Sequence, residues 1–193
     1  MQIIWHGQSC FFIKSKSQDK EINILVNPCD SKKLAKANIV LLNNEILDRK
    51  KLKKIKAFII DSAGEFEIKN NFVQGISDNK NIVFVLEVEG IHLVDLGEVK
   101  HLENGLLSKL QNVDILILPI NKEKFLNIDE ATEIINQLEP RIIIASNYQE
   151  SKEIKKFAEK VGANLKEAVD KFKIMKKNLP QDGREIIILN KKS

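Results

Sequence analysis

The sequence predicts an α/β fold of the α+β type, in which two β-sheets pack face to face and helices cover their outer faces. Short apolar segments separated by turn residues fill the first half of the chain, which is typical of strands and hairpins. The second half alternates apolar strands with amphipathic helices. The chain has 193 residues, of which 43% are hydrophobic. This length suits one core, so we expect residues 1–193 to form a single domain.

Strands account for most of the first half. Two apolar runs, Ile82–Glu89 and Ile91–Leu96, flank Gly90 as the strands of a hairpin would. The other predicted strands are Gln2–Trp5, Cys10–Lys14, Ile22–Val26, Asn38–Leu42, Ala57–Asp61, Phe66–Ile68 and Phe72–Ile76. Between two of them, Glu45–Lys56 has apolar residues spaced for a short amphipathic helix.

Helices and strands alternate in the second half. Asp129 and Ser151 are N-cap residue types that precede amphipathic segments, which predicts a helix after each of them. The predicted helices are Leu102–Leu110, Asp129–Leu138 and Ser151–Lys160, and Ala163–Val169 is predicted to add a helical turn. The predicted strands are Val113–Pro119, Arg141–Ala145, Lys173–Met175 and Glu185–Leu189.

Composition excludes several classes of protein. The formal net charge of +4 is too small for a dominant nucleic-acid-binding surface. The two cysteines, Cys10 and Cys29, form no CxxC motif, which excludes zinc-ribbon and thioredoxin sites. No apolar run approaches the roughly 18 residues that span a membrane, and the first ten residues lack the features of a signal peptide. We therefore expect a cytoplasmic protein that does not bind membranes.

Five segments carry motifs of one known family. WHGQSCFFI (Trp5–Ile13) is similar to W-L-G-H-S-C-F, and ILVNPCD (Ile24–Asp30) is similar to I-L-I-D-P. DSAGEFEIKNNFVQGI (Asp61–Ile76) is similar to D-G-P-G-E-Y-E-I-K-G-x-x-x-x-G-I. VDLGEVKH (Val94–His101) resembles H-L-G-D-L-G-H, and NIDEATEIINQLEPRIII (Asn127–Ile144) resembles I-D-x-x-E-A-x-x-x-x-x-Q-x-E-P-x-I-I-I-P. In this order they resemble the metallo-β-lactamase fold superfamily, specifically its small metal-dependent hydrolases similar to ascorbate-6-phosphate lactonase.

That resemblance implies a four-layer αββα sandwich with two divalent metal ions held by loops at strand ends. The ions share a hydroxide that attacks the substrate. The main ligand loop of the family reads T-H-x-H-x-D-H after a buried strand. Here the corresponding ligand positions carry Asn44, Ile46, Asp48 and Arg49. Only Asp48 keeps a ligand type, since isoleucine has no lone pair and the arginine cation repels a metal ion.

Other positions of the family motifs have also changed. Gln8 and Asn147 stand where the family has histidines, and Asn27 stands at the aspartate of D-P. Glu98 corresponds to the bridging aspartate and, with Asp48, is a residual candidate ligand. Zinc prefers nitrogen and sulfur ligands. We therefore expect no zinc cofactor and no catalytic residue, although the two carboxylates could hold Mg²⁺ or Mn²⁺ weakly.

The histidines and Cys10 favour structural roles. His6 lies two residues before the ligand position, which favours a structural hydrogen bond. His101 is interpreted as structural, and His92 is expected to be exposed on its strand. Cys10 lies in an apolar strand with no identifiable base, so we expect a buried side chain rather than a nucleophile.

Three charged features remain. Glu65 and Glu67 lie two residues apart on a predicted strand and therefore share a face, although the simpler interpretation gives one of them to a loop cap. The basic run Arg49–Lys56 is interpreted as a solvated helix face, or alternatively as an anion-binding rim of the former cleft formed by Arg49, Lys50, Lys51, Lys53 and Lys54. Lys171–Lys177 predicts an edge strand protected by lysines.

These observations leave three functional hypotheses. The first is a catalytically inactive homologue with a binding or scaffolding role, whose partner would be a protein or a small anionic ligand. The second is a hydrolase with a rewired site of Asp48 and Glu98 that acts on a phosphorylated or lactone-like small molecule. The third is a nucleic-acid-associated module that uses Arg49–Lys56, which the lack of interleaved aromatic residues disfavours.

Overall fold

In a computed structural model the chain forms two β-sheets with few helices, which confirms the predicted α/β class. The structure describes residues 1–17, 20–28, 36–43, 56–78, 81–99, 101, 105–121, 123–148 and 151–192. The predicted helix Glu45–Lys56 lies outside the described residues except for Lys56.

The first sheet has six strands, in the order β13-β1-β2-β3-β4-β5. These strands are β1 (Gln2–Trp5), β2 (Phe11–Ser17), β3 (Lys20–Val26), β4 (Ile39–Leu41), β5 (Phe58–Ile60) and β13 (Phe172–Lys173). β1, β2 and β3 are antiparallel, whereas β3, β4 and β5 are parallel. β13 ends this sheet next to β1, so the edge strand predicted within Lys171–Lys177 is present at Phe172–Lys173.

The second sheet has eight strands, in the order β12-β14-β11-β10-β9-β8-β7-β6. They are β6 (Gly64–Ile68), β7 (Asn71–Asp78), β8 (Asn81–Val88), β9 (Ile91–Asp95), β10 (Ile115–Pro119), β11 (Ile142–Ser146), β12 (Asn164–Leu165) and β14 (Glu185–Ile187). β6 to β9 form consecutive hairpins, and β9, β10, β11 and β14 are parallel. The carboxyl ends of β9, β10 and β11 therefore lie together at one end of the sandwich.

Two α-helices, α1 (Ile128–Leu138) and α2 (Ser151–Val161), cover the outer face of the eight-stranded sheet. Fully buried Ile135 of α1 and Phe157 of α2 belong to the same cluster as the outward-facing residues Leu116 and Ile143 of the sheet. A separate cluster fills the space between the two sheets, where Ile24 and Leu41 meet Phe84, Leu93 and Ile117. The two-sided burial explains why the central parallel strands read as uninterrupted apolar runs.

Three local predictions were wrong. The predicted helical turn Ala163–Val169 is instead strand β12, because Gly162 stops α2 and the backbone of Asn164 then bonds to Arg184. Within the described part of Leu102–Leu110 the structure forms only a 3-10 turn, Leu107–Lys109. The N-cap of α1 is Asn127 rather than Asp129. Asp129 lies inside the first turn, where it pairs with Lys160.

A capping box fixes the beginning of α1. The side-chain oxygen of Asn127 accepts hydrogen bonds from the backbone of Asp129 (2.8 Å) and Glu130 (3.0 Å), and Glu130 accepts one from the backbone of Asn127 (2.9 Å). Replacing Asn127 with alanine removes two of these bonds and is expected to lower the free energy of unfolding by about 1 kcal/mol. Urea unfolding measures this loss. Asn127→Ser should restore most of it, and equal losses in both variants would contradict the capping role.

No helix in the part of the chain that the structure describes is long and apolar enough to cross a membrane.

Candidate functional site at the strand ends

Polar residues gather where β3 and β4 of one sheet and β9, β10 and β11 of the other come to an end. Asn43 follows β4, and its backbone forms a hydrogen bond with Ile82, at the beginning of β8 (2.8 Å). The beginning of β8 adjoins the end of β9 because these two strands are antiparallel. This contact joins the strand ends of both sheets into one region, which we call the strand-end cluster: Gln8, Ser9, Asn27, Asn43, Asn81, Asp95, Gly97, Glu98, Asn121 and Asn147.

Two asparagines of neighbouring strands bind each other reciprocally. The Asn27 amide nitrogen donates to Oδ1 of Asn43 (2.5 Å), and the backbone of Asn43 donates to Oδ1 of Asn27 (2.9 Å). The Asn43 amide nitrogen donates to the carbonyl of Ile82 across the sandwich (2.6 Å). Asn43 is fully buried. Its side chain therefore uses its donor and acceptor capacity to link the two sheets.

Gly97 lies directly against Asn43. A Cβ atom at Gly97 would lie 2.5 Å from Nδ2 and 2.6 Å from Cγ of Asn43. The residue also has a φ of +67°, a conformation that glycine adopts without strain. Only glycine at this position lets the loop after β9 close over the amide.

Asp95 ends β9 and points between the sheets. Its side chain is 2% exposed, and its Oδ2 atom has no hydrogen-bond partner. Burial raises the pKa of Asp95 to about 7, the negative charge of Glu98 acts in the same direction, and hydrogen bonds from Gly97 and Asn43 oppose the shift. Burial therefore favours the neutral form of the Asp95 carboxyl.

Glu98 is held at the rim of the strand-end cluster. Its Oε1 atom accepts a hydrogen bond from the hydroxyl of Ser9 (2.9 Å), and its backbone donates to Oδ1 of Asn81 (3.4 Å). The Asn81 amide donates in turn to the carbonyl of Leu96 (3.0 Å). The structure thus brings Gln8–Ser9, which follow β1, next to the loop after β9.

Three positions at which the chain departs from the family motifs have left-handed backbone. φ is +50° at Gln8, +42° at Asn27 and +59° at Asn147. Such conformations are unusual for residues other than glycine, although asparagine tolerates them best. Trp5 stabilises the loop at Gln8 by donating its indole N–H to the Gln8 carbonyl (2.7 Å). Asn147 has a buried Nδ2 atom without a partner, and its carbonyl accepts from Asn121 (3.4 Å).

The structure describes only some of the other residues that the sequence singles out. The candidate ligand positions Asn44, Ile46, Asp48 and Arg49 and the basic residues Lys50, Lys51, Lys53 and Lys54 all lie outside the described residues. His6 donates a hydrogen bond from Nδ1 to the Lys192 carbonyl (2.8 Å). His101 is exposed and lies 3.1 Å from Glu130 of α1. Cys10 is buried, as predicted.

Asp95 is the residue of the strand-end cluster that motif reading missed. The signal is present in the H-L-G-D-L-G-H motif. If His92 is aligned with the first histidine of the motif without a gap, Leu93, Asp95, Leu96 and Gly97 match its L, D, L and G. Glu98 then occupies the position of its last histidine. Matching the last histidine to His101 instead assigns the aspartate position to Glu98 and hides Asp95.

The described side chains do not fit the dinuclear metal centre that the family resemblance implies. Within the described ranges no group of three His, Cys, Asp or Glu side chains is arranged to hold a metal ion. Asn27 and Asn43 are committed to each other, and neutral amides are not the nitrogen and sulfur ligands that zinc prefers. What this geometry offers is a hydrogen-bonded amide network that joins two sheets.

Comparison with known proteins gives consistent similarities. The profile of a family described as "Beta-lactamase superfamily domain" matches residues 2–147. A UPF0173 protein of Pyrococcus abyssi is 26% identical over 185 residues, which cover 77% of this chain and 83% of the relative. A UPF0173 protein of Pyrococcus furiosus is 23% identical over 182 residues, with the same coverage of 77% and 83%.

Two solved structures share the arrangement of sheets. A Thermotoga maritima protein of the metallo-beta-lactamase superfamily matches with a TM-score of 0.80 at 21% identity. The match covers 98% of this chain and 100% of that one. The metallo-beta-lactamase fold protein YhfI of Bacillus subtilis matches with a TM-score of 0.69 at 10% identity, over 98% and 96% of the two chains. At these identities the similarity shows a common fold.

Proposed function

Since the chain belongs to the family described as "Beta-lactamase superfamily domain", we propose that it is a member of this family that does not catalyse hydrolysis. It shares its fold with hydrolases. In this proposal the former metal cleft is a structural element, and the protein acts by binding or scaffolding. The reciprocal pair of Asn27 and Asn43, bonded onward to Ile82, is the observation that carries it. Neutral carboxamides engaged with one another are poor ligands for zinc and are not bases that could activate water.

The hydrogen bonds of Asp95 support the same conclusion. Asp95 is buried between the sheets, and Gly97 and Asn43 supply its hydrogen bonds. This carboxyl therefore belongs to the same polar network as Asn43.

The left-handed backbone at Gln8, Asn27 and Asn147 supports descent from a metal site. In this proposal the loops that now carry these amides once aimed imidazole and carboxylate groups. The Asn147 amide nitrogen, buried and without a partner, is a donor that an anionic or carbonyl-containing ligand could use. A protein or a small anionic ligand is therefore the partner class that we propose.

We also infer that residues 1–193 form one domain. Strands from the last quarter of the chain complete both sheets, since β13 pairs with β1 and β14 pairs with β11. Removal of the C-terminal quarter would open an edge in each sheet, which supports folding as a single unit.

Metal analysis tests the proposal directly. Protein purified without chelators from metal-replete medium is expected to contain zinc and manganese far below one equivalent, at about 0.1 or less, because the ligand histidines are missing. Elemental mass spectrometry measures both metals. The matched control is the triple variant Asn44→His, Ile46→His and Arg49→His, which restores the histidines around Asp48 and should raise the zinc content. A stoichiometric, tightly held metal in the unmodified protein would overturn the proposal.

The competing hypothesis is a hydrolase that uses Asp48 and Glu98. It is favoured by one contact, the bond from Ser9 that orients the Glu98 carboxylate at the rim. Assays on phosphoester and lactone substrates with added Mg²⁺ or Mn²⁺ separate the two functions. We expect the same background rate in the unmodified protein, Asp48→Ala and Glu98→Ala. A metal-dependent rate that both substitutions abolish would replace our proposal with this one.

A further inference from the structure

We propose that the open edge of strand β6 binds an extended basic segment of a partner protein by strand addition, with glutamates 65 and 67 as its recognition residues. β6 is the last strand of the eight-stranded sheet among the described residues. An edge strand presents unpaired backbone donors and acceptors to which another strand can bind. The proposal does not depend on the chemistry of the strand-end cluster.

The hairpin geometry identifies which backbone groups are available. β6 and β7 are joined by a two-residue turn, Lys69–Asn70, in which both φ angles are positive (51° and 60°). In such a turn the flanking pair, Ile68 and Asn71, is hydrogen-bonded, and hydrogen-bonded pairs then alternate along the ladder. Glu65 and Glu67 belong to the non-hydrogen-bonded pairs, so their N–H and C=O groups point away from β7 toward the open edge.

The same two residues carry the charge of the edge. The side chains of Glu65 and Glu67 are both exposed on the outer face of the sheet, and Glu65 accepts a bond from Gln74 (3.3 Å). Glu87 is exposed on the same face, because Phe72 pairs with Glu67 on one side and with Glu87 on the other. A partner strand at this edge would therefore meet both the outward backbone groups of β6 and these carboxylates.

An apolar contact lies on the other face of the edge. Phe66 packs against the core between the sheets, and its ring meets Phe58 at a centroid distance of 6.2 Å. Phe58, in edge strand β5 of the other sheet, is 49% exposed. An apolar side chain opposite Phe66 would cover this ring.

These features define the occupant. Directly opposite residues of paired strands share a face, so a partner strand would place lysine or arginine opposite Glu65 and Glu67 and an apolar residue between them. A second copy of β6 fits poorly. Antiparallel pairing centred on Phe66 would bring Glu65 of one copy against Glu67 of the other, and like charges directly opposite are destabilising.

A labelled peptide tests the proposal. The probe is a short peptide with Lys-Val-Lys at its centre, compared with a matched Glu-Val-Glu peptide, and fluorescence anisotropy measures binding to the full chain. We expect a dissociation constant of about 10–100 µM for the lysine peptide, weakening with salt, and no binding of the acidic one. Absence of lysine-peptide binding to the folded protein would overturn the proposal.

Two variants separate strand addition from charge attraction. Glu67→Pro removes an outward N–H and leaves pairing with β7 intact, since proline is tolerated on an open edge. The double variant Glu65→Gln and Glu67→Gln keeps the backbone and removes the charges. Each variant should weaken binding about tenfold, because the proline variant loses a backbone hydrogen bond and the glutamine variant loses the charged contacts. Glu21→Gln, an exposed glutamate on the other sheet, is the control and should bind normally.

The outcomes are distinct. Circular dichroism and the urea midpoint check that each variant is folded. If Glu67→Pro does not fold, Glu65→Pro makes the same backbone test. Normal binding by the folded proline variants would overturn strand addition. Light scattering of the protein alone is expected to show no association through β6, and an oligomer lost in the proline variants would assign the edge to a second copy instead.

Discussion

Replacing Asp95 with asparagine is expected to stabilise the protein at pH 8 by about 2–4 kcal/mol and to leave its stability at pH 4 nearly unchanged. The buried carboxyl has a folded-state pKa of about 7 against an ordinary value of 3.8. A pKa that differs by about three between the folded and the unfolded chain corresponds to roughly 4 kcal/mol, which is an upper bound. Asparagine keeps the shape and one acceptor oxygen without an ionisable group, so the variant escapes this cost.

The sign of the effect follows from proton binding in the two states. Below pH 4 the carboxyl is protonated in both the folded and the unfolded chain, and burial then carries no ionisation cost. Between pH 4 and pH 7 the unfolded chain loses the proton while the folded one keeps it, so the contribution of Asp95 to stability falls with rising pH. Above pH 7 the cost is constant. The stability gained by Asp95→Asn therefore develops across this window.

Urea unfolding at pH 4, 6 and 8 measures the effect. Asp182 is exposed, and Asp182→Asn serves as the control that should change stability little at any of the three values. A stabilisation by Asp95→Asn that is equal at pH 4 and pH 8 would show that ionisation is not its cause. Destabilisation at pH 8 would show that the Asp95 carboxylate is held by a cation or a proton donor in the folded protein.

Sequence reasoning predicts the strands well because their signal is local. An apolar run between turn residues is sufficient to place β1 at Gln2–Trp5 and to place the others within a few residues. Lys173 is likewise predicted on an edge strand because lysine is typical there. The failure at Ala163–Val169 has the opposite cause. β12 exists because β14, about twenty residues later, offers a parallel partner, and no local pattern contains that information.

The position of the strand-end cluster is predictable from the sequence, but its hydrogen-bond network is not. Family motifs indicate that Gln8, Asn27 and Asn147 occupy former ligand loops, and each of these residues does follow a strand. They could not reveal that Asn43 links the sheets, because its partner Ile82 belongs to the other sheet. Asparagine in a loop reads as a turn residue. Its role here depends on a tertiary contact that only the folded chain creates.

Substituting alanine for Gly97 is expected to lower the free energy of unfolding by about 3–4 kcal/mol. Two causes add. The φ of +67° is strained for alanine, and the new methyl group would lie 2.5–2.7 Å from three atoms of the Asn43 side chain. Asn43 cannot move away without giving up its bonds to Asn27 and Ile82. The added methyl group would therefore disrupt the hydrogen bonds of the Asn43 side chain.

Gly90 provides a matched control for the strain that a positive φ imposes on alanine. It has a similar φ of +71°, in the turn between β8 and β9, and nothing lies within 4 Å of its added Cβ. Gly90→Ala should cost only about 1 kcal/mol, the strain of the left-handed conformation. The difference between the two alanine variants, measured by urea unfolding, reports the packing of Gly97 against Asn43.

A double variant locates the clash. Asn43→Gly removes the three atoms that the methyl group would meet, so Gly97→Ala should cost about 1 kcal/mol in that background, as it does at Gly90. Asn43→Gly alone is expected to destabilise the protein, because Asn27 and the Ile82 carbonyl lose their partner. A full cost of Gly97→Ala in both backgrounds would mean that the loop after β9, rather than the amide network, rejects the side chain.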